Sequence, residues 1–137
     1  MTTQAAQLDA FFSSLKRSGS PNNWLVAPAD FMVKPDEVAP VFRVSVPALH
    51  RTFKAIALRS DGVEVVEESA NAVHIIATTR LMRFKDDVWV FFIPVAPYCS
   101  TLALYSASRV GYWDMGTNRH RVKKWMARLR NACTSES

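Results

Sequence analysis

FKDDVWVFFIPVAPYCSTLALYSASRVGYWDMGTNRHR, residues Phe84 to Arg121, decides how this chain folds. It is the stretch densest in aromatic and β-branched residues, the types that fit a pleated, half-buried surface. Its first half, from Asp87 or Val88 to Ile93, is apolar on both faces, as a central covered strand requires. Pro94 and Pro97 break pairing and suit a hairpin loop. Cys99 to Ala107 then returns as a second strand. Gly111 to Gly116 reads as a loop, with Asp114 or Thr117 as candidate N-cap for a helix that runs to about Asn131. Val122, Trp125, Met126 and Leu129 fall on one stripe of that helix, which predicts a buried face.

Upstream, Lys85 to Asp87 reads as a turn, and Ala72 to about Arg83 as a strand with Val73, Ile75, Ala77 and Leu81 on one face. Val63 to Glu67 forms the strand before it, after an Asp61-Gly62 turn. Ser45 is a good N-cap, with Pro47 in the first turn where its missing N–H costs nothing. That helix continues to about Leu58, burying Leu49, Phe53, Ile56 and Ala57 and leaving His50 at the surface. Val41 to Val44 reads as a short strand. Residues 18 to 40 form a connector interrupted by Pro21, Pro28, Pro35 and Pro40. Trp24, Leu25, Val26, Phe31 and Met32 make it apolar, so it is expected to wrap over an open face of the sheet. Residues 3 to 17 form an amphipathic helix with Leu8, Phe11, Phe12 and Leu15 on its stripe, docked on the domain or serving as a lid or dimer arm. The connections between strands are too short for parallel crossovers. The expectation is therefore an α+β, two-layer fold: an antiparallel, largely meander sheet of about five strands with helices packed on one face. Residues 1–18 would be the N-terminal helix, 19–132 a single domain and 133–137 a frayed tail.

The chain has 137 residues, 49% hydrophobic and 21% charged, enough for one real core and too apolar for disorder. Its net charge of +5 favours anionic partners without choosing among them. Cys99 and Cys133 set up no disulfide framework; the first reads as a buried thiol, the second as part of the tail. The start lacks the pattern of a secretory signal, and the run Val88 to Val95 is too short to span a bilayer. A cytoplasmic setting is expected.

Several chemistries find no support. His50, His74 and His120 with two distant cysteines match no metal-ligand spacing. Four glycines in total leave no phosphate-binding loop. Ser106 and Ser108 lack a nucleophile elbow. The basic residues of the last helix, Arg119, Arg121, Lys123, Lys124, Arg128 and Arg130, are interleaved with Trp125 and Met126, but those two belong to the buried stripe. A solvated basic face fits better than a nucleic-acid or membrane surface. No cofactor is implied.

What remains is an acidic pair and the segment after the last strand. Asp86 and Asp87, if close, could split their pKa values and act as acid and base. Arg109 could clamp an anion bidentately, with Tyr105, Ser106, Ser108, Trp113, Asp114, Asn118 and Arg121 around it as ligand-binding residues. The bland alternative is a structural network in which the carboxylates cap turns or helix amides and the arginines tie strand to helix.

FKDDV followed by SASRVGYWDMGTNRHRV is similar to the signature of a bacterial and plastid family, domain of unknown function 1499. The family's pattern resembles F-x-D-D-V, then R-S-A-S-R-x-G-x-x-D-x-G-x-N-x-x-R. Matching positions are Phe84, Asp86, Asp87, Val88, Ser106, Ala107, Ser108, Arg109, Gly111, Asp114, Gly116, Asn118 and Arg121. Tyr105 stands where the family usually has arginine, which argues against a two-arginine anion site. Asn23 replaces the cysteine of the family's Pro-Asn-Cys start. The resemblance covers residues 84 to 122 and extends from about residue 20, leaving out the first helix. It implies that these polar residues belong together and carries no activity.

Three functions are compatible with these residues. The first is a binding domain for an apolar, anionic small molecule, with aromatic walls and Arg109 as anchor. The second is a cofactor-free acid–base enzyme of isomerase, cyclase or dehydratase type in the same pocket, with Asp86 or Asp87 as base. The third is a protein-interaction module, a homodimer among its forms, that docks through the first helix.

Overall fold

The computed structural model describes residues 15, 17, 19–80, 82–111 and 113–134. The helix expected over residues 3 to 17 lies, apart from Leu15 and Arg17, outside the described residues, and so does Leu81. The described elements are β1 (Asn23–Ala27), β2 (Glu37–Val38), α1 (Val46–Leu58), β3 (Val63–Glu68), β4 (Ala72–Thr78), β5 (Lys85–Ala96), β6 (Cys99–Ser108) and α2 (Thr117–Thr134).

The fold is α+β, but the sheet has six strands in the order β2-β1-β6-β5-β4-β3 and is mixed. β3 to β6 form the expected antiparallel meander. The two additional strands come from the connector. β1 pairs antiparallel with β6, Asn23 opposite Ala107, and β2 pairs with β1 in parallel, Val26 opposite Glu37. The expected all-antiparallel sheet of about five strands is corrected on both counts. The prolines that argued for a loop lie outside β1, at Pro21 and Pro28, so they bracket the strand without blocking its ladder. Val41 to Val44 supplies only an isolated bridge between Phe42 and Ser100.

α1 begins as its residues dictate: the Ser45 hydroxyl accepts from the Ala48 amide at 3.4 Å, and Pro47 sits in the first turn. Both helices pack on one face of the sheet. Leu49, Phe53 and Ile56 of α1 and Val122, Trp125, Met126 and Leu129 of α2 meet Val73, Ile75, Val88, Val90, Phe92, Leu102 and Leu104 there. Cys133, expected in a frayed tail, is buried at the end of α2 against this core, whereas Cys99 is only half-buried. His50 also departs from expectation. It is buried, stacked 4.6 Å from the Phe92 ring, with Nδ1 3.1 Å from the Ala70 carbonyl and Nε2 2.8 Å from Glu68. The β3–β4 turn brings those partners in, and nothing in the local sequence around His50 announces them.

The other face of the sheet carries a smaller cluster of Leu25, Ala27, Ala103 and Tyr105, with Leu15, Phe31 and Val33 packed against it. The connector thus covers part of the open face as well as extending the sheet. Among the described residues, no helix is long and apolar enough to cross a membrane.

Candidate functional site

Asp86 and Asp87 lie in β5 rather than in a turn, since pairing continues through Asp86 opposite Ser108 and Asp87 opposite Ala107. Consecutive strand residues face opposite ways. The two carboxylates therefore do not share a site, and the acid–base pair expected from their adjacency does not form.

Asp86 points to the helix face. Its residue is 1% exposed, and its Oδ2 accepts from Arg121 NH2 at 2.8 Å. Ser106 and Ser108 point the same way by the two-residue period of β6. Asn118, fully buried in the first turn of α2, joins the group. Its Oδ1 accepts from the Ser106 hydroxyl and from Arg121 NH1 at 2.8 Å. Its Nδ2 hydrogens are shared among Asp114 Oδ2 at 2.7 Å, Ser108 Oγ at 3.0 Å and the Asn22 carbonyl at 3.1 Å. Asp114 caps α2: its carboxylate accepts from the amides of Gly116 at 2.9 Å and Asn118 at 3.0 Å, compensating the unpaired N–H groups of the helix start. The network thus joins β5, β6, α2 and the residue just ahead of β1 at one end of the sheet.

Asp87 points to the opposite face. Arg109 donates to it through Nε at 2.8 Å and NH2 at 3.0 Å, and His74 Nε2 lies 2.7 Å from its Oδ1. His74 is itself stacked on Trp89 at 3.6 Å. Partial burial alone would raise the Asp87 pKa, but the hydrogen bonds from His74 and Arg109 and their charge outweigh it and hold the carboxyl at about 2. The same pairing raises the pKa of Arg109. Arg109 is thus engaged with a carboxylate, with Tyr105 on that same face.

On the helix face, the network floors an open cleft of about 500 Å³. Asp86, Ser108, Asp114, Thr117 and Arg121 supply its polar floor, and Asp61, Thr78, Thr79 and Arg80 one wall. Met82, Phe84, Val110, Trp113 and Met115 form the rim. All five are exposed, Trp113 at 64% and Met115 at 79%. Their loops carry backbone strain: Arg83 and Met115 both adopt φ of 59° without being glycine. Of the residues singled out from sequence, Asp86, Ser108, Trp113, Asp114 and Arg121 line the cleft. Ser106 and Asn118 lie behind it as support, and Asp87, Arg109 and Tyr105 lie on the other side of the sheet. Met82, Val110 and Met115 were missed. Their only signal is an apolar side chain placed in a turn, next to residues that favour solvent.

A second cleft, also of about 500 Å³, adjoins the first at Trp113 and Asp114, which line both. Arg17, Asn23, Trp24, Asp36 and Arg119 are among the other residues of its walls. Arg17 is paired with Asp36 at 2.6 Å. Among the described residues no three His, Cys, Asp or Glu side chains gather as a metal ion would need.

The family model described as "Protein of unknown function (DUF1499)" matches residues 5–129. The match takes in the segment ahead of Pro21, beyond the limit that the resemblance alone had set. No curated protein matches the chain.

Proposed function

The chain belongs to the DUF1499 family of proteins of unknown function, and we propose that this member binds a small, largely apolar molecule in the cleft above Asp86 and Arg121. The observation that carries the proposal is an exposed apolar rim set over a polar floor that is buried at Asp86 and half-buried elsewhere, the usual composition of a ligand pocket. Covering the apolar surface of that cleft would contribute about 3 kcal/mol before the cost of immobilising the ligand. The floor supplies orientation. Asp86 is a hydrogen-bond acceptor, and the Ser108 hydroxyl, which accepts from Asn118, keeps its own proton for a ligand. A neutral polar group such as a hydroxyl fits there. A cytoplasmic setting belongs to this proposal, and it accords with two free thiols. Native mass spectrometry of protein taken from its own host tests it, reading any bound mass and the oligomeric state together. A bound molecule lost in Phe84→Ser would support the reading; a ligand unaffected by changes at Phe84 and Val110 would place binding elsewhere.

A second reading is favoured by one specific observation: the carboxylate of Asp86 lines the cleft although the residue is almost entirely buried. In a cofactor-free enzyme this group would act as the base. Conversion of a bound ligand that stops in Asp86→Asn while binding persists would establish it. Binding without conversion would leave the first reading alone.

A further inference from the structure

We propose that the second cleft receives an anionic group of the same ligand, so that the molecule bound is an amphiphile with an apolar body and a carboxylate head. This rests on the apolar-ligand reading above and adds the chemistry of the other end.

The first cleft is a poor place for an anion. Asp61, Asp86 and Asp114 face it against Arg80 and Arg121, and Arg121 is already held by Asp86. The neighbouring cleft has the opposite balance. Its two carboxylates are engaged: Asp36 with Arg17, and Asp114 with the start of α2. Arg119 has no carboxylate within ion-pairing distance among the described residues. It lies 5.0 Å from the centre of the Trp24 ring, which orients the guanidinium without neutralising it. The planar fork of arginine suits a carboxylate. Trp113, exposed and shared by both clefts, offers an apolar bridge between body and head. A chain lying across Trp113 would rest its apolar part on the rim and its head at Arg119.

Decanoate and decanol, titrated by tryptophan fluorescence, separate the two parts of the proposal. The expected result is that decanoate binds about five- to tenfold more tightly than decanol, the gain of a charge-assisted hydrogen bond at an exposed site. Arg119→Gln should remove that preference and leave decanol binding unchanged, while Arg119→Lys keeps part of it. Phe84→Ser should weaken both probes. Equal binding of the two probes, or a decanoate preference that survives Arg119→Gln, would overturn the anion site and leave the apolar reading standing. If neither probe binds the full chain, both readings fail.

Discussion

Asp86 and Asp87, adjacent in the chain, hold two different arginines on the two faces of one sheet. Asp86 pairs with Arg121 beneath the helices, and Asp87 pairs with Arg109 on the opposite surface, each at 2.8 Å. The distances are equal but the surroundings are not. The Asp86 side chain is 2% exposed and its partner 12%, whereas Arg109 is 43% exposed. Charge removed from a buried pair leaves the partner without compensation, while an exposed partner turns to water.

Asp86→Asn should therefore destabilise the fold by about 3 kcal/mol and Asp87→Asn by about 1 kcal/mol. Urea unfolding of the two variants measures both. Equal losses would mean that burial does not set the value of these pairs.

The Asp87 pair also dictates a pH dependence. Its carboxyl sits at about 2 in the folded chain against an ordinary value of 3.8. A depressed carboxyl contributes its stability above the unfolded value and loses it as pH falls through the folded one. The difference in unfolding free energy between the wild type and Asp87→Asn should shrink as pH falls from 3.8 towards 2. A carboxyl titration of Asp87 followed by NMR should show the same low midpoint. A midpoint near 4 would refute the pairing with His74 and Arg109.

Gly62 and Gly111 offer a matched comparison. Both have positive φ, 78° and 84°, but a Cβ at Gly62 would stand 2.5 Å from the Thr78 carbonyl oxygen while one at Gly111 meets nothing within 4 Å. Gly111→Ala should cost about 1 kcal/mol for the left-handed backbone alone. Gly62→Ala should cost more, about 3 kcal/mol, because two backbone segments must also separate. Thermal unfolding would distinguish them, and similar melting temperatures would contradict the close approach.

Asn118 is the hub of the floor, so Asn118→Ala removes partners from Ser106, Ser108, Asp114, Arg121 and the Asn22 carbonyl at once. A loss of about 3 kcal/mol is expected, against under 1 kcal/mol for Ser108→Ala. Denaturant midpoints for the two variants would check the ratio.

Local signals were legible wherever one residue type has one cheap solution. Ser45 and Pro47 placed the start of α1, and the spacing of Val122, Trp125, Met126 and Leu129 placed the buried stripe of α2. β1 was hidden because four of its five residues are buried, which leaves no alternation to read, and β2 is two residues long. The candidate site was legible in part. The signature residues gather at one end of the sheet, but a register shift of one residue decides which face each occupies. The extension of β5 back to Lys85 put Asp86 in the cleft and Asp87 outside it. His50 was misread because its burial comes from Ala70 and Glu68, whose approach depends on the β3–β4 turn.

The pairing of β1 with β6 imposes an order on assembly. β3 to β6 can zip from neighbour to neighbour, each loop closure being short, whereas β1, apart from the two-residue β2, has no strand to pair with until β6 exists, some 80 residues later at Asn23 and Ala107. Only then can the Asn22 carbonyl meet Asn118. A Leu25→Ala change is thus expected to speed unfolding and leave the folding rate nearly untouched, the mark of a contact made after the barrier. The floor of the cleft would then be among the last parts of the molecule to form, so that a chain emerging from the ribosome would lack the cleft until α2 had followed.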